Sequence, residues 1–215
     1  MKKVKVVIFD LDGTLANTLP LCIQAFRKSV EPLVNRTISD TEIIATFGPS
    51  EEGTIMALAP EHYEKGVAGY LQHYEALHNM CPVPFEGIKE LLIMLQEKGV
   101  RIAMVTGKGK YSTEISLKYL ELASHFEIIE TGSPTGPCKA EGIQHILDNF
   151  QSIPKDEVIY IGDAPSDVKA CRKAGITIIA AAWAETAEPE ALKSLGPDHL
   201  FYTIQDLSHW LKDRT

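Results

Sequence analysis

Cysteine is scarce and unpatterned. The chain has four cysteines in 215 residues, with no C-x-x-C pair and no Cys/His ligand spacing, so neither a disulfide framework nor a structural zinc site is expected. Cys22, Cys81, Cys138 and Cys171 read as reduced, semi-apolar fillers. Basic residues are in deficit as well: 21 Lys and Arg against 29 Asp and Glu give a net charge of −8 and a pI near 5.4. Such a surface field repels nucleic acid and lacks the basic stripe that binding it needs. Long apolar runs are also missing. After the basic Met1-Lys2-Lys3, residues 4–9 form an apolar segment too short for a signal peptide or a membrane span, and no other segment approaches spanning length. The expectation is a soluble, cytoplasmic chain with neither a membrane nor a nucleic-acid partner. The seven histidines show no ligand spacing, and no internal repeat is visible.

What is present is enough apolar material, 45% of residues, for one well-filled α/β domain with a modest insertion. Residues 4–9 are β-branched and mostly continuous rather than alternating, the pattern of a strand covered on both faces of a parallel sheet. Segments 101–105, 126–129, 158–161 and 176–180 repeat that character, with a weaker one at 199–202. Helical periodicities fill the gaps at 87–98, 111–120, 139–150 and 166–174. Alternating strand and helix predict a doubly wound, Rossmann-like α/β core with a parallel sheet. One stretch breaks the alternation. Residues 18–80 carry helical periodicities at 21–34, 40–47 and 62–78 and no convincing strand. An inserted helical cap over residues 17–82 is therefore expected, with the core made of residues 1–16 and 83–215 and the return marked by Cys81-Pro82-Val83-Pro84.

The sharpest chemical signal is Asp10-Leu11-Asp12-Gly13-Thr14-Leu15 directly after the first strand, because side chains at the carboxyl end of a parallel strand face the ligand crevice of an α/β protein. Residues two apart on an extended segment share a face, so Asp10 and Asp12 can reach one substrate. Asp-Gly is also a common turn pair, and Asp12 can simply cap a helix. After the second core strand, Thr106-Gly107-Lys108-Gly109-Lys110 offers a hydroxyl and a flexible backbone able to bond phosphate oxygens, without Walker spacing. Lys139 opens a helix near the same crevice. Gly162-Asp163-Ala164-Pro165-Ser166-Asp167 follows another strand and sets two carboxylates four apart, hard oxygen ligands that suit Mg²⁺ or, equally, caps for the next helix. Within the insertion, Phe47-Gly48-Pro49-Ser50-Glu51 breaks the helical pattern, and Gly48 and Glu51 are candidate substrate contacts.

In that order, the DxDGTL run, the strand-end Thr106, Lys139 and the GDxxxD run resemble the four motifs of the haloacid dehalogenase superfamily. The resemblance covers essentially the whole chain, and the helical insertion is similar to that of the phosphoglycolate phosphatase and β-phosphoglucomutase branch. It implies that Asp10 attacks phosphorus and that Asp12 serves as general acid and then base. It further implies that Thr106, Gly107 and Lys139 hold the phosphoryl group, and that Asp10, Asp12 through its backbone carbonyl, Asp163 and Asp167 form the Mg²⁺ site. The implied activity is Mg²⁺-dependent hydrolysis of a small phosphomonoester, of the phosphoglycolate or sugar-phosphate type, through an aspartyl-phosphate. A phosphomutase or a pyrophosphatase uses the same motifs. The expected partner is a small phosphorylated metabolite, and the expected state is monomer or homodimer. Two positions depart from the family's pattern: Ala140 follows Lys139 where proline is frequent, and Asn17 stands where an acid is common.

Overall fold

The computed structural model of the protein describes residues 3–215; Met1 and Lys2 of the basic start lie outside the described residues. Strands β1 (Val6–Phe9), β2 (Arg101–Val105), β3 (Ile128–Glu130), β4 (Val158–Gly162), β5 (Thr177–Ala181) and β6 (His199–Phe201) form one sheet in the order β3-β2-β1-β4-β5-β6. Every neighbouring pair is parallel. Between β1 and β2 come α1 (Leu19–Val34), α2 (Asp40–Ile44), α3 (Glu51–Leu58), α4 (Tyr63–Ala76) and α5 (Ile88–Glu97). After that, α6 (Lys110–Leu120), α7 (Lys139–Asn149), α8 (Pro165–Ala174), α9 (Pro189–Ser194) and α10 (Ile204–Lys212) alternate with the strands.

The continuous apolar strands are continuous because both faces are covered. Val7, Phe9, Ile102, Met104, Ile159 and Ile161 enter a core shared with α5 and α10, whereas Val6, Ile8, Ala103, Val105, Val158 and Tyr160 enter a second core under α7 and α8. All four β1 side chains are fully buried, a contribution of about 1.5–3 kcal/mol each. A one-residue slip of β1 would exchange its two buried faces and carry Asp10 out of place, so packing sets the register that the site needs.

The helical reading of the insertion needs one addition. Helix α3 was not expected; its apolar residues are scattered round the helix and Gly53 interrupts its first turns, so no periodic stripe announces it. The glycine answers to a close approach: a Cβ at Gly53 would lie 2.6 Å from the Pro134 carbonyl oxygen and 2.5 Å from the Pro49 side chain. The pattern read at 40–47 also ends early. The helix closes at Ile44, and Thr46 and Phe47 continue as turns bonded back to Ile43 and Ile44.

Candidate active site

The order of the sheet reverses around β1 and β4, the place where an open α/β sheet presents a crevice beyond its strand ends. Asp10 leaves β1 there. Its N–H bonds to the Ile161 carbonyl at 2.9 Å, fixing it beside the end of β4, and its Oδ1 accepts the Leu11 N–H at 2.7 Å. Asp163 leaves β4 opposite, accepting the Thr14 hydroxyl on Oδ1 at 3.0 Å. Gly13 has φ +72°, and a Cβ on it would fall 2.1 Å from Asp163 Oδ2, so only glycine lets the β1 loop lie against that carboxylate. Trp183 anchors the loop from the far side, its indole N–H donating to the Thr14 carbonyl at 3.0 Å.

Lys139, the first residue of α7, reaches across to this cluster. Its Nζ lies 2.5 Å from Asp10 Oδ2 and 2.6 Å from Asp167 Oδ1. Asp167 is fully buried and well bonded: its Oδ2 accepts the Ala164 N–H at 2.9 Å, which caps α8, and its Oδ1 also accepts the Tyr160 hydroxyl at 3.0 Å. Capping and site-building, alternatives in the sequence, are here the same act.

Asp10, Asp163 and Asp167 each offer a carboxylate oxygen within 4.8 Å of the others. Burial, together with the neighbouring carboxylates, pushes the Asp10 carboxyl up to about 7 in spite of Lys139. Asp163 is raised well above its ordinary range by the same burial and by the charges of Asp10 and Asp167. Burial works against the Lys139 ammonium, but the flanking Asp10 and Asp167 outweigh it and hold it charged. Two buried carboxylates and one half-buried one facing one ammonium are short of positive charge, and their hard oxygens are the donor set that Mg²⁺ prefers. The residues fit that ion.

Asp12 points elsewhere and its carboxylate is not part of the cluster. Its Oδ1 accepts the Thr18 hydroxyl, lies 3.3 Å from Lys108 Nζ and 3.8 Å from Cys22 Sγ. Thr106 is buried, and its Oγ1 accepts the Lys108 N–H at 3.2 Å, which leaves its own proton free to donate; Gly107 and Lys108 are the parts of that loop that line the cavity. The cavity, about 630 Å³, is floored by Asp10, Asp163 and Lys139 and walled by Phe26, Phe47 and Tyr70. Gly48 and Glu51 line it as well. The Glu51 carboxylate is nevertheless engaged with the chain, accepting the Gly109 N–H and the Ser112 hydroxyl at 2.6 Å each.

Residues 7–181 match the family model of the haloacid dehalogenase-like hydrolases. The chain belongs to that family. Among its relatives, a PpaX protein of Caldanaerobacter subterraneus subsp. tengcongensis is 31% identical over 212 residues, which is 98% of this chain and 94% of the relative. The pyrophosphatase PpaX of Halalkalibacterium halodurans is 29% identical, covering 95% of each chain. A haloacid dehalogenase-like hydrolase of Streptococcus pneumoniae superposes with a TM-score of 0.78 at 25% identity over 96% of this chain and 98% of its own. CbbY of Rhodobacter sphaeroides, solved with phosphate, shares the fold at a TM-score of 0.78 and 18% identity, with 95% and 96% covered. This hydrolase therefore carries the fold over essentially its whole length. No helix among the described residues is long and apolar enough to cross a membrane.

Sequence reasoning missed three residues of the site: Lys108, Thr18 and Trp183. Lys108 stands two positions after Thr106, but its burial is invisible in the sequence because α1, α4 and the loop after β1 have to close around it first. Trp183 follows β5 and joins the site only through the sheet.

Proposed function

We propose that this hydrolase is a Mg²⁺-dependent phosphatase that works through an aspartyl-phosphate on Asp10, with residues 17–82 acting as a helical cap over a core made of residues 1–16 and 83–215. The observation that carries the reading is the buried cluster of Asp10, Asp163, Asp167 and Lys139 at the reversal of the sheet. Asp10, Asp163 and Asp167 would hold Mg²⁺, together with the backbone carbonyl of Asp12; Asp167 also orients Lys139 and caps α8. Bound there, the ion supplies charge neutralisation for an anionic phosphoryl group.

Asp10 is the nucleophile: its Oδ1 is pinned by the Leu11 N–H and its Oδ2 lies on Lys139. Attack on phosphorus gives an acyl phosphate and expels the leaving oxygen, splitting one hard displacement into two. Lys139 and the Thr106 hydroxyl hold the equatorial oxygens. Asp12 protonates the leaving oxygen and then takes a proton from the attacking water. Thr18, Cys22 and Lys108 all meet its carboxylate on Oδ1, which leaves Oδ2 for these proton transfers. The aromatic wall keeps bulk water from the anionic centre, where fixed charges act more strongly than in solvent.

For the substrate, the relatives named as pyrophosphatases favour inorganic pyrophosphate; a small phosphomonoester of the phosphoglycolate or sugar-phosphate type is the second reading, favoured by the apolar wall. The test is orthophosphate release from pyrophosphate and a panel of phosphomonoesters, with Mg²⁺ or chelator, for wild type and Asp10→Asn. Metal-dependent release that falls by more than about 10³ in the variant is expected, nucleophile loss being among the largest single effects. Undiminished release by Asp10→Asn would sink the assignment, and an isomerised product without release would make the enzyme a mutase.

A further inference from the structure

Lys108 is a buried ammonium that the steps above do not use. Its side chain is 2% exposed, yet it lines the cavity. Nζ lies 3.3 Å from Asp12 Oδ1, 3.1 Å from Cys22 Sγ and 4.4 Å from the centre of the Tyr74 ring. Burying an ammonium is costly unless its partners are good, and these are one partly exposed carboxylate, a thiol and a ring face. A cation enclosed in a cavity wall with so few partners points to use by a ligand.

We propose that Lys108 is a specificity-determining residue that receives a second negative charge carried by the leaving group. The proposal rests on the phosphatase reading and names its substrate class. Lys139 is committed to Asp10 and Asp167 and so belongs to the transferring phosphoryl group. Lys108 stands instead beside Asp12, the proton donor to the leaving oxygen, so the bridging oxygen and this ammonium share one side of the site. An anionic group one or two bonds beyond the bridging oxygen then falls within reach of Nζ. Phe26 and Tyr70 line the cavity on that side and thin out the water that would screen the pair. Two leaving groups carry the required chemistry: orthophosphate from pyrophosphate, and a short carboxylate such as glycolate from its phosphate ester. A leaving group with no charge near the bridge gains nothing from Lys108.

The experiment compares kcat/KM of the Mg²⁺-loaded full chain on pyrophosphate and 2-phosphoglycolate with that on ethyl phosphate and glycerol 3-phosphate, whose alkyl leaving groups carry no charge. It is run for wild type, the truncating variants Lys108→Met and Lys108→Gln, and the conservative Lys108→Arg. The expected result is a fall of about 10–100-fold in the ratio of charged-leaving-group to uncharged-leaving-group substrates, the range for one lost charge-assisted hydrogen bond. The change should sit mainly in KM, with partial recovery in Lys108→Arg. The two charged arms separate a phosphate from a carboxylate as the favoured group. A ratio within about twofold of wild type in both truncating variants overturns the proposal, whatever the absolute rates, because a lysine that only props Asp12 or the fold lowers the three alkyl esters alike and pyrophosphate no more than these; twofold is well below one hydrogen bond. If wild type releases no phosphate from any of the four, the phosphatase reading falls and this proposal with it, a result distinguishable from an unshifted ratio.

Discussion

The floor and the wall of the cavity are made in different ways. On the floor, Asp10 and Asp163 sit at neighbouring strand ends, so the hydrogen-bonded register of β1 and β4 fixes their spacing before any side chain chooses a rotamer. Gly13 against Asp163 leaves no room for adjustment there. On the wall, Phe26, Phe47 and Tyr70 come from the helical insertion and meet by ring packing, Phe26 and Tyr70 with centroids 4.2 Å apart and Phe26 and Phe47 at 5.9 Å. Backbone register gives the shared chemistry a precision that aromatic packing does not, while packing tolerates exchange of one side chain for another. A fold built this way keeps one reaction and varies what it acts upon.

The floor is where the largest effects are expected. Replacing Lys139 with Met leaves Asp10 and Asp167 buried without their ammonium and should cut kcat by about 10²–10³, as for loss of one oxyanion donor; a loss shared equally between kcat and KM in steady-state assays would contradict a role in the transition state. At the wall, Glu51→Gln can accept only one of the two bonds that tie α3 to the start of α6. Kinetics should show about a tenfold lower kcat/KM, from one charge-assisted bond, and a fall as large as that of Lys139→Met would erase the contrast between floor and wall.

The smallest effect is on stability and concerns the floor alone. Asp10 is raised from an ordinary 3.8 to about 7 in the folded chain, so its neutral form favours folding. That contribution is complete below the ordinary value and is lost as pH rises through about 7. Melting curves of chelated protein should therefore show a falling Tm from mildly acid to mildly alkaline pH, and Mg²⁺ should raise Tm more at pH 8 than at pH 5. An equal Mg²⁺ shift at both values would mean that the buried carboxylates do not set the balance.

Most of the floor was legible in the sequence and little of the wall. Continuous apolar strands, two of them running into Asp10 and Asp163 and another into Thr106, announce a parallel sheet and its crevice, because burial on both faces leaves an unbroken run of β-branched residues. The motif order supplied Asp10, Asp12, Lys139, Asp163 and Asp167 as a set. Helix α3 was hidden by Gly53, whose purpose is contact with the Pro134 carbonyl rather than any local preference. In the sequence Glu51 reads as a loop residue facing substrate, whereas its carboxylate is bonded to residues 58 and 61 positions later, Gly109 and Ser112. Lys108 escaped for the same reason: periodicity reports which face of an element is apolar, not which charged residue the assembled elements enclose.

The position of β1 in the sheet also bears on how the protein is made. Val6 pairs with Arg101 on one side and Val158 on the other, so the strand that bears Asp10 leaves the ribosome long before either neighbour exists. Until β4 and Asp163 have followed, the carboxylates remain separate on an unfinished chain. The cluster of Asp10, Asp163 and Asp167 can therefore assemble only once β4 has joined β1 in the sheet.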